Sequence, residues 1–160
     1  MQKGLILAAG RGSRMGKLTK DRPKCLLNFQ NQTLLDRCIK IFYQNKINNI
    51  GIVTGYKREK IKVKKLKKFN NKNWSSTNIL YSLYCAKNWL SKHECIITYS
   101  DIIYNSSAIS KIKRNKSDIA ILYDKNWKKK WMKRFKNPLS DAETFKIGKK
   151  GNLIDIGKKT

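Results

Sequence analysis

Residues 4–9, GLILAA, form an apolar run of strand length that stops at Gly10. So short a run without polar alternation must be covered on both sides, and it reads as a fully buried strand. Comparable segments recur. GIVTGY (51–56), ECIITYSD (94–101) and SDIAILYD (117–124) are each expected as strands, the last two ending in an acid. Between them, LLDRCIKIFYQ (34–44), ILYSLYCAKNWL (79–90, with Thr77 as its cap) and residues 106–114 read as helices from the spacing of their apolar residues. KREKIKVKKLKK (57–68) is expected as a further helix on a less regular pattern. Strands alternating with helices imply right-handed crossovers and a parallel sheet. The expected fold class is α/β: a Rossmann-like, doubly wound, mostly parallel sheet. After residue 125 the pattern changes, and FKIGKKGNLIDIGKK (145–159) reads as a hairpin around Lys150-Gly151.

Composition adds one constraint. The chain has 37 Lys+Arg against 10 Asp+Glu, a formal net charge of +27. Such an excess implies anionic partners: nucleotides, nucleic acid or a membrane surface. Most of it is lysine, spread among many Asn and Ile, which also suits a coding bias expressed on solvated faces. Charge alone therefore does not choose. No apolar run reaches membrane-spanning length, and MQKGLILAAG is too short and glycine-broken for a signal peptide, so a cytoplasmic location is expected. The cysteines (Cys25, Cys38, Cys85, Cys95) form no CxxC pair and have His93 alone to help them, so buried, inert thiols are expected.

In open α/β sheets, ligands bind beyond the carboxyl ends of the strands. The turn after residues 4–9 is such a place. Gly10 and Gly12 let the backbone approach an anion closely, and Arg14 and Lys24 add fixed charge. Spacing excludes two familiar phosphate loops. GxGxxG would need its third glycine where Met15 stands, and GxxxxGK[ST] would need glycine at Arg11 and a hydroxyl residue at Leu18.

The stretch LAAGRGSRMGKLTKDRPKCLL (7–27) resembles the signature of the nucleotidyltransferase superfamily that activates phosphorylated sugars and alcohols. That signature is a strand, GxGxR (here Gly10, Gly12, Arg14), a short insertion and a Pro-Lys pair (Pro23, Lys24). VTGY (53–56), STNILYSLYCA (76–86), SDIIY (100–104) and NPLSDAETFKI (137–147) agree with it. The Asn-Ile-x-Tyr-Ser-Leu helix is most similar to the phosphocholine cytidylyltransferase branch.

The resemblance implies transfer of a nucleoside monophosphate, CMP favoured, from a triphosphate to a phosphorylated small molecule such as phosphocholine, with release of pyrophosphate. A sugar-1-phosphate uridylyltransferase, or one using another nucleotide, is the alternative. It implies base and ribose contacts from the backbone of Ala8, Ala9 and Gly10, and a phosphate cradle from Gly12 and Arg14. Arg14 would also stabilise charge leaving on pyrophosphate, and Lys24 would bridge the α-phosphate and the incoming phosphate. Asp101 is the expected Mg2+ ligand, since magnesium takes one or two carboxylates plus phosphate oxygens. Asn78 and Ser82, one helical turn apart, are candidates to touch base or ribose, with capping or helix-surface roles equally open.

Residues 1–160 are read as a single domain, with 1–124 as the nucleotide-binding core and 125–160 as the start of the acceptor side. The family normally continues further, so the fold is expected to be C-terminally incomplete, and a second copy or a complementing C-terminal chain is the protein partner left open. Two rival readings stand beside the enzyme. KNWKKKWMKRFK (125–136) interleaves seven cations with Trp127, Trp131 and Phe135. That stripe suits base stacking or a membrane surface, but the preferred reading is the buried face of a helix. The other rival is a catalytically dead subunit that binds nucleotide.

Overall fold

The computed structural model describes residues 2–140, 142–149 and 151–157. Lys150, on which the expected hairpin turn falls, lies outside the described residues. The chain divides into two compact units, one running up to Ala120 and the other from Ile121.

The first unit begins with β1 (Lys3–Ala8), followed by the short antiparallel pair β2 (Asn28–Phe29) and β3 (Gln32–Thr33). Helix α1 (Leu34–Gln44), β4 (Ile50–Thr54), β5 (Lys67–Asn70), α2 (Ile79–Tyr84), α3 (Lys87–Leu90), β6 (Cys95–Tyr99) and α4 (Ser106–Arg114) complete it. The sheet is parallel and ordered β5-β4-β1-β6. Its register sets Ala8 beside Thr54 and Leu7 beside Tyr99, so β1, β4 and β6 finish at one edge.

The period-two alternation of a strand sends successive side chains to opposite sides. Ile6 and Ala8 of β1 join Ile52 and Ile96 under α1 (Leu35, Cys38, Phe42) and α4 (Ile109). Leu5, Leu7 and Val53 face the other way, against Ala86, Leu83 and Trp89. Both faces are covered, which makes the sheet doubly wound. Thr33 caps α1 by accepting a hydrogen bond at 3.0 Å from the Asp36 amide, fixing where the first crossover starts.

Several expectations give way. Residues 57–68 are not a helix: Arg58–Lys60 make one 3-10 turn, and Lys67–Asn70 become the edge strand β5. The buried residues there, Ile61 and Leu66, are five apart, which is not one side of a helix. Lys68 Nζ also donates to the Ile61 carbonyl at 2.7 Å, folding the segment back on itself. Residues 117–124 form no strand, and Ile119 is 84% exposed. The helix expected over 79–90 breaks at Ala86 (φ −106°, ψ 17°) into α2 and α3. Its cap is Asn78 rather than Thr77, whose hydroxyl donates instead to the Asn73 carbonyl at 2.7 Å. Finally, the strand expected over 94–101 stops at Tyr99, and Ile97 and Tyr99 are exposed along it, so Asp101 stands in the turn beyond.

The second unit holds α5 (Trp127–Met132) and the antiparallel hairpin of β7 (Phe145–Ile147) with β8 (Leu153–Ile156). The Tyr123 and Phe145 rings pack at 5.0 Å. The aromatic stripe is not the fully buried helix face expected: Trp127, Trp131 and Phe135 are half-buried, and Phe135 lies past the end of α5. Two of its rings share one cation, with the Arg134 guanidinium 5.7 Å from Trp131 and 5.3 Å from Phe135. Among the described residues no helix is long and apolar enough to cross a membrane.

Candidate active site

The site is built where β1 ends. Ala8 and Ala9 are buried, and the chain then emerges at Gly10, where an added Cβ would meet nothing within 4 Å. At Gly12 it turns in the left-handed region (φ +74°) and enters two 3-10 turns over Ser13–Thr19, kinked at Gly16. Thr19 is fully buried beneath them. Its hydroxyl lies 3.1 Å from the Gly12 carbonyl and 3.3 Å from the Gly16 carbonyl, a shared donor that ties the turns together. Arg14 rides on the exposed side of this turn. Thr19 carries no signal of its own in the sequence: a threonine between Leu18 and Lys20 marks no turn and no period.

The loop returns to the sheet through Pro23 and Cys25, both buried, with Lys24 between them. Pro23 fixes the backbone at φ −67°, so the direction in which Lys24 leaves is set by its neighbours. The lysine stem lies along Gly12: a Cβ there would be 2.8 Å from Lys24 Cβ and 2.9 Å from its Cδ. Lys24 Nζ donates to Asp101 Oδ2 at 2.8 Å, with 30% and 36% of the two side chains exposed. Residues 77 apart in sequence thus meet between the turn after β1 and the turn after β6. An ion pair this hydrated contributes at most about 1 kcal/mol to stability. Both charges remain within reach of a ligand.

Asn78 and Ser82 are engaged at the start of α2. Asn78 Oδ1 accepts from the Tyr81 amide at 3.1 Å. The Ser82 hydroxyl is buried, accepts from Asn71 Nδ2 at 3.1 Å and lies 3.5 Å from the Asn78 carbonyl. Asn78 thus takes the capping role that the sequence left open, whereas Ser82 lies in the interior rather than on the helix surface. His93 precedes β6, at the opposite end of that strand from Asp101.

Behind Asp101 lie two buried thiols. Burial, reinforced by the Cys38 and Asp101 charges, outweighs a backbone hydrogen bond and raises Cys25 to about 12. Burial and the same carboxylate raise Cys38 to about 11, and its Sγ lies 3.8 Å from the Tyr99 carbonyl. Cys95 is likewise raised by burial to about 11. These are packing groups, not nucleophiles. A proton held more tightly in the folded than in the unfolded chain stabilises the fold fully below the unfolded value of 9.0. That stabilisation is lost as pH rises through the folded values. The melting temperature should therefore fall progressively from about pH 9 upward, more steeply than in a Cys25→Ser, Cys38→Ser chain measured over the same range. Equal slopes would contradict the assignment.

Among the described residues no group of three His, Cys, Asp or Glu side chains could hold a metal ion. The donor set at this site is one partly exposed carboxylate, Asp101. That chemistry fits a hard cation such as magnesium that brings phosphate oxygens and water as its other ligands, and does not fit zinc.

The family model described as "MobA-like NTP transferase domain" matches residues 4–139. A CTP:phosphoglutamine cytidylyltransferase from Campylobacter jejuni is 39% identical, over 97% of this chain and 65% of that protein. A choline-phosphate cytidylyltransferase from Streptococcus pneumoniae is 35% identical over 56% of this chain and 41% of its own length. The chain thus spans between about four tenths and two thirds of these relatives. Among solved structures, a CTP:phosphocholine cytidylyltransferase from Streptococcus pneumoniae superposes with a TM-score of 0.59 at 31% identity, covering 62% of this chain and 45% of that one. An inositol-1-phosphate CTP transferase from T. maritima covers the whole chain, and 65% of its own, with a TM-score of 0.72. At 16% identity it speaks for the fold.

Proposed function

Because the chain belongs to the MobA-like NTP transferase domain family, we propose that it serves transfer of CMP from CTP to a phosphorylated small molecule, with pyrophosphate as the second product. One observation carries this reading: Lys24 and Asp101, a cation and a carboxylate, are held 2.8 Å apart against the glycine turn. A triphosphate chelating a divalent cation offers each of them a stronger partner than the other. The cytidylyltransferases among the relatives favour CTP. Their two acceptors, phosphoglutamine and choline phosphate, favour a small phosphate that carries a nitrogen group. Phosphocholine is one such acceptor, and sugar 1-phosphates are the alternative.

The chemistry asks little of side chains beyond position and charge. A phosphate oxygen of the acceptor attacks the α-phosphorus in line, and with a second pKa of about 6 it is already largely ionised near neutrality. No general base is then required, consistent with thiols that stay protonated and a histidine at the far end of β6. Lys24 would hold the α-phosphate beside the incoming phosphate, and Arg14 and the Gly10–Gly12 backbone would hold the outgoing pyrophosphate. Asp101 is the residue that fits magnesium, which when bound neutralises charge on the phosphates. Ala8 and Ala9 would supply backbone to base and ribose, with Asn78 near the start of α2 as a further contact.

The test is a thermal-shift screen of CTP, UTP, ATP and GTP with magnesium on this chain and on Asp101→Ala. Stabilisation by CTP above the others, lost on chelation and in Asp101→Ala, is the expected result. Equal silence with all nucleotides would overturn the proposal.

A further inference from the structure

The turn after β4 has a task that the chemistry above leaves unused. Gly55 and Tyr56 sit directly against the start of the loop 10–20. The Tyr56 amide donates to the Ala9 carbonyl at 2.9 Å, where the loop begins, and the Tyr56 hydroxyl donates to the Lys20 carbonyl at 2.6 Å, where it ends. One residue thereby joins both ends of a segment that has no ladder of its own. The span is rigid, because a phenol ring cannot shorten.

The ring is itself fixed. It packs edge-on against Trp74, with centroids 5.0 Å apart and planes at 66°. Gly55 permits that approach: a Cβ there would lie 2.6 Å from Trp74 Cβ and 2.7 Å from the Ala9 carbonyl oxygen. Cations gather around the same ring, with the Arg11 guanidinium at 5.7 Å and Lys57 Nζ at 5.9 Å from its centroid. Lys57 also reaches Asp21, just past the loop, at 4.0 Å.

We propose that Tyr56 is a positioning residue that holds the loop 10–20 in its phosphate-receiving shape and so sets the affinity for triphosphate. This rests on the function proposed above. A loop ordered before its ligand arrives loses less conformational freedom on binding, and the gain appears as affinity. An ordinary aromatic packing role would need only the contact with Trp74. The hydroxyl bond to Lys20 is the feature that such a role leaves unexplained.

Tyr56→Phe separates the two, since it keeps the ring against Trp74 and removes the bond to Lys20. Two measurements on the full chain decide it. In free protein, amide exchange at Met15 and Lys20, which bond within the loop, should quicken about five- to tenfold while β1 amides are unchanged. The Kd for magnesium-CTP should rise by a similar factor, about that of one hydrogen bond, with the ligand-free melting temperature lowered by no more than about 4 °C. Unchanged loop exchange overturns the proposal. So does faster exchange with an unchanged Kd, or a loss of protection spread through β1 and β4. If the unsubstituted chain itself ignores every triphosphate, the proposed function fails first and takes this inference with it, an outcome recognisable without the variant.

Discussion

Replacing Lys24 by alanine should weaken magnesium-CTP binding by roughly 10- to 100-fold, the range expected for losing a hydrogen bond to a charged group. The same variant should melt within about 4 °C of the parent chain, because an ion pair so open to water adds at most about 1 kcal/mol. This separation between affinity and stability is the informative part. Pro23 and Cys25 anchor the backbone on either side, so the alanine chain keeps the loop and loses the charge. Where turnover is measured as pyrophosphate release, the loss should reach about 10²–10³-fold, the range for a preorganised group that stabilises developing charge. Titration calorimetry and thermal denaturation on the two proteins check both halves. A large fall in melting temperature with unchanged CTP affinity would mean that Lys24 holds the fold rather than the ligand.

Gly12→Val should have the largest effect on stability. Gly12 sits at φ +74°, which costs a residue with a Cβ about 1–2 kcal/mol. Its Cβ would also stand 2.8 Å from Lys24 Cβ, near the root of that side chain, where rotation cannot relieve the clash. Overpacking of this kind adds about 1–3 kcal/mol. The sum, about 2–5 kcal/mol, corresponds to a melting temperature lowered by roughly 4–20 °C in a domain of this size. Displacing Lys24 from Asp101 should weaken CTP binding as well. Gly10→Ala is the control. Its Cβ enters open space, so stability should hold while CTP affinity falls if the nucleotide occupies that space. Gly12→Val with parental stability would contradict the packing described for the loop.

The parts of this molecule legible in the sequence were those with a local signature. GLILAA could only be a strand covered on both sides, and α1 showed its period, although its Thr33 cap was not picked out. The Pro-Lys pair and the aspartate after β6 were picked out singly. What sequence could not give was that their side chains meet, since that depends on the order β1-β6 in the sheet. Segment 57–68 was misread because lysines on an edge strand and lysines on a helix look alike, and its two buried residues fit neither period well. SDIAILYD was misread in the opposite sense: its apolar residues promised burial, and Ile119 and Ile121 are exposed. Thr19 and Tyr56 stayed invisible as loop-holding residues because both act through carbonyls distant in sequence or hidden beneath a turn.

The most direct measurement is paramagnetic broadening of backbone amide signals by manganese with CTP, on this 160-residue chain. Manganese takes the same oxygen ligands as magnesium and erases signals near it. Broadening centred on Gly10–Met15, Lys24 and Asp101, and abolished in Asp101→Ala, is the expected result. Broadening centred instead on the lysines around α5, or none that depends on CTP, would contradict a triphosphate seated between the glycine turn and Asp101.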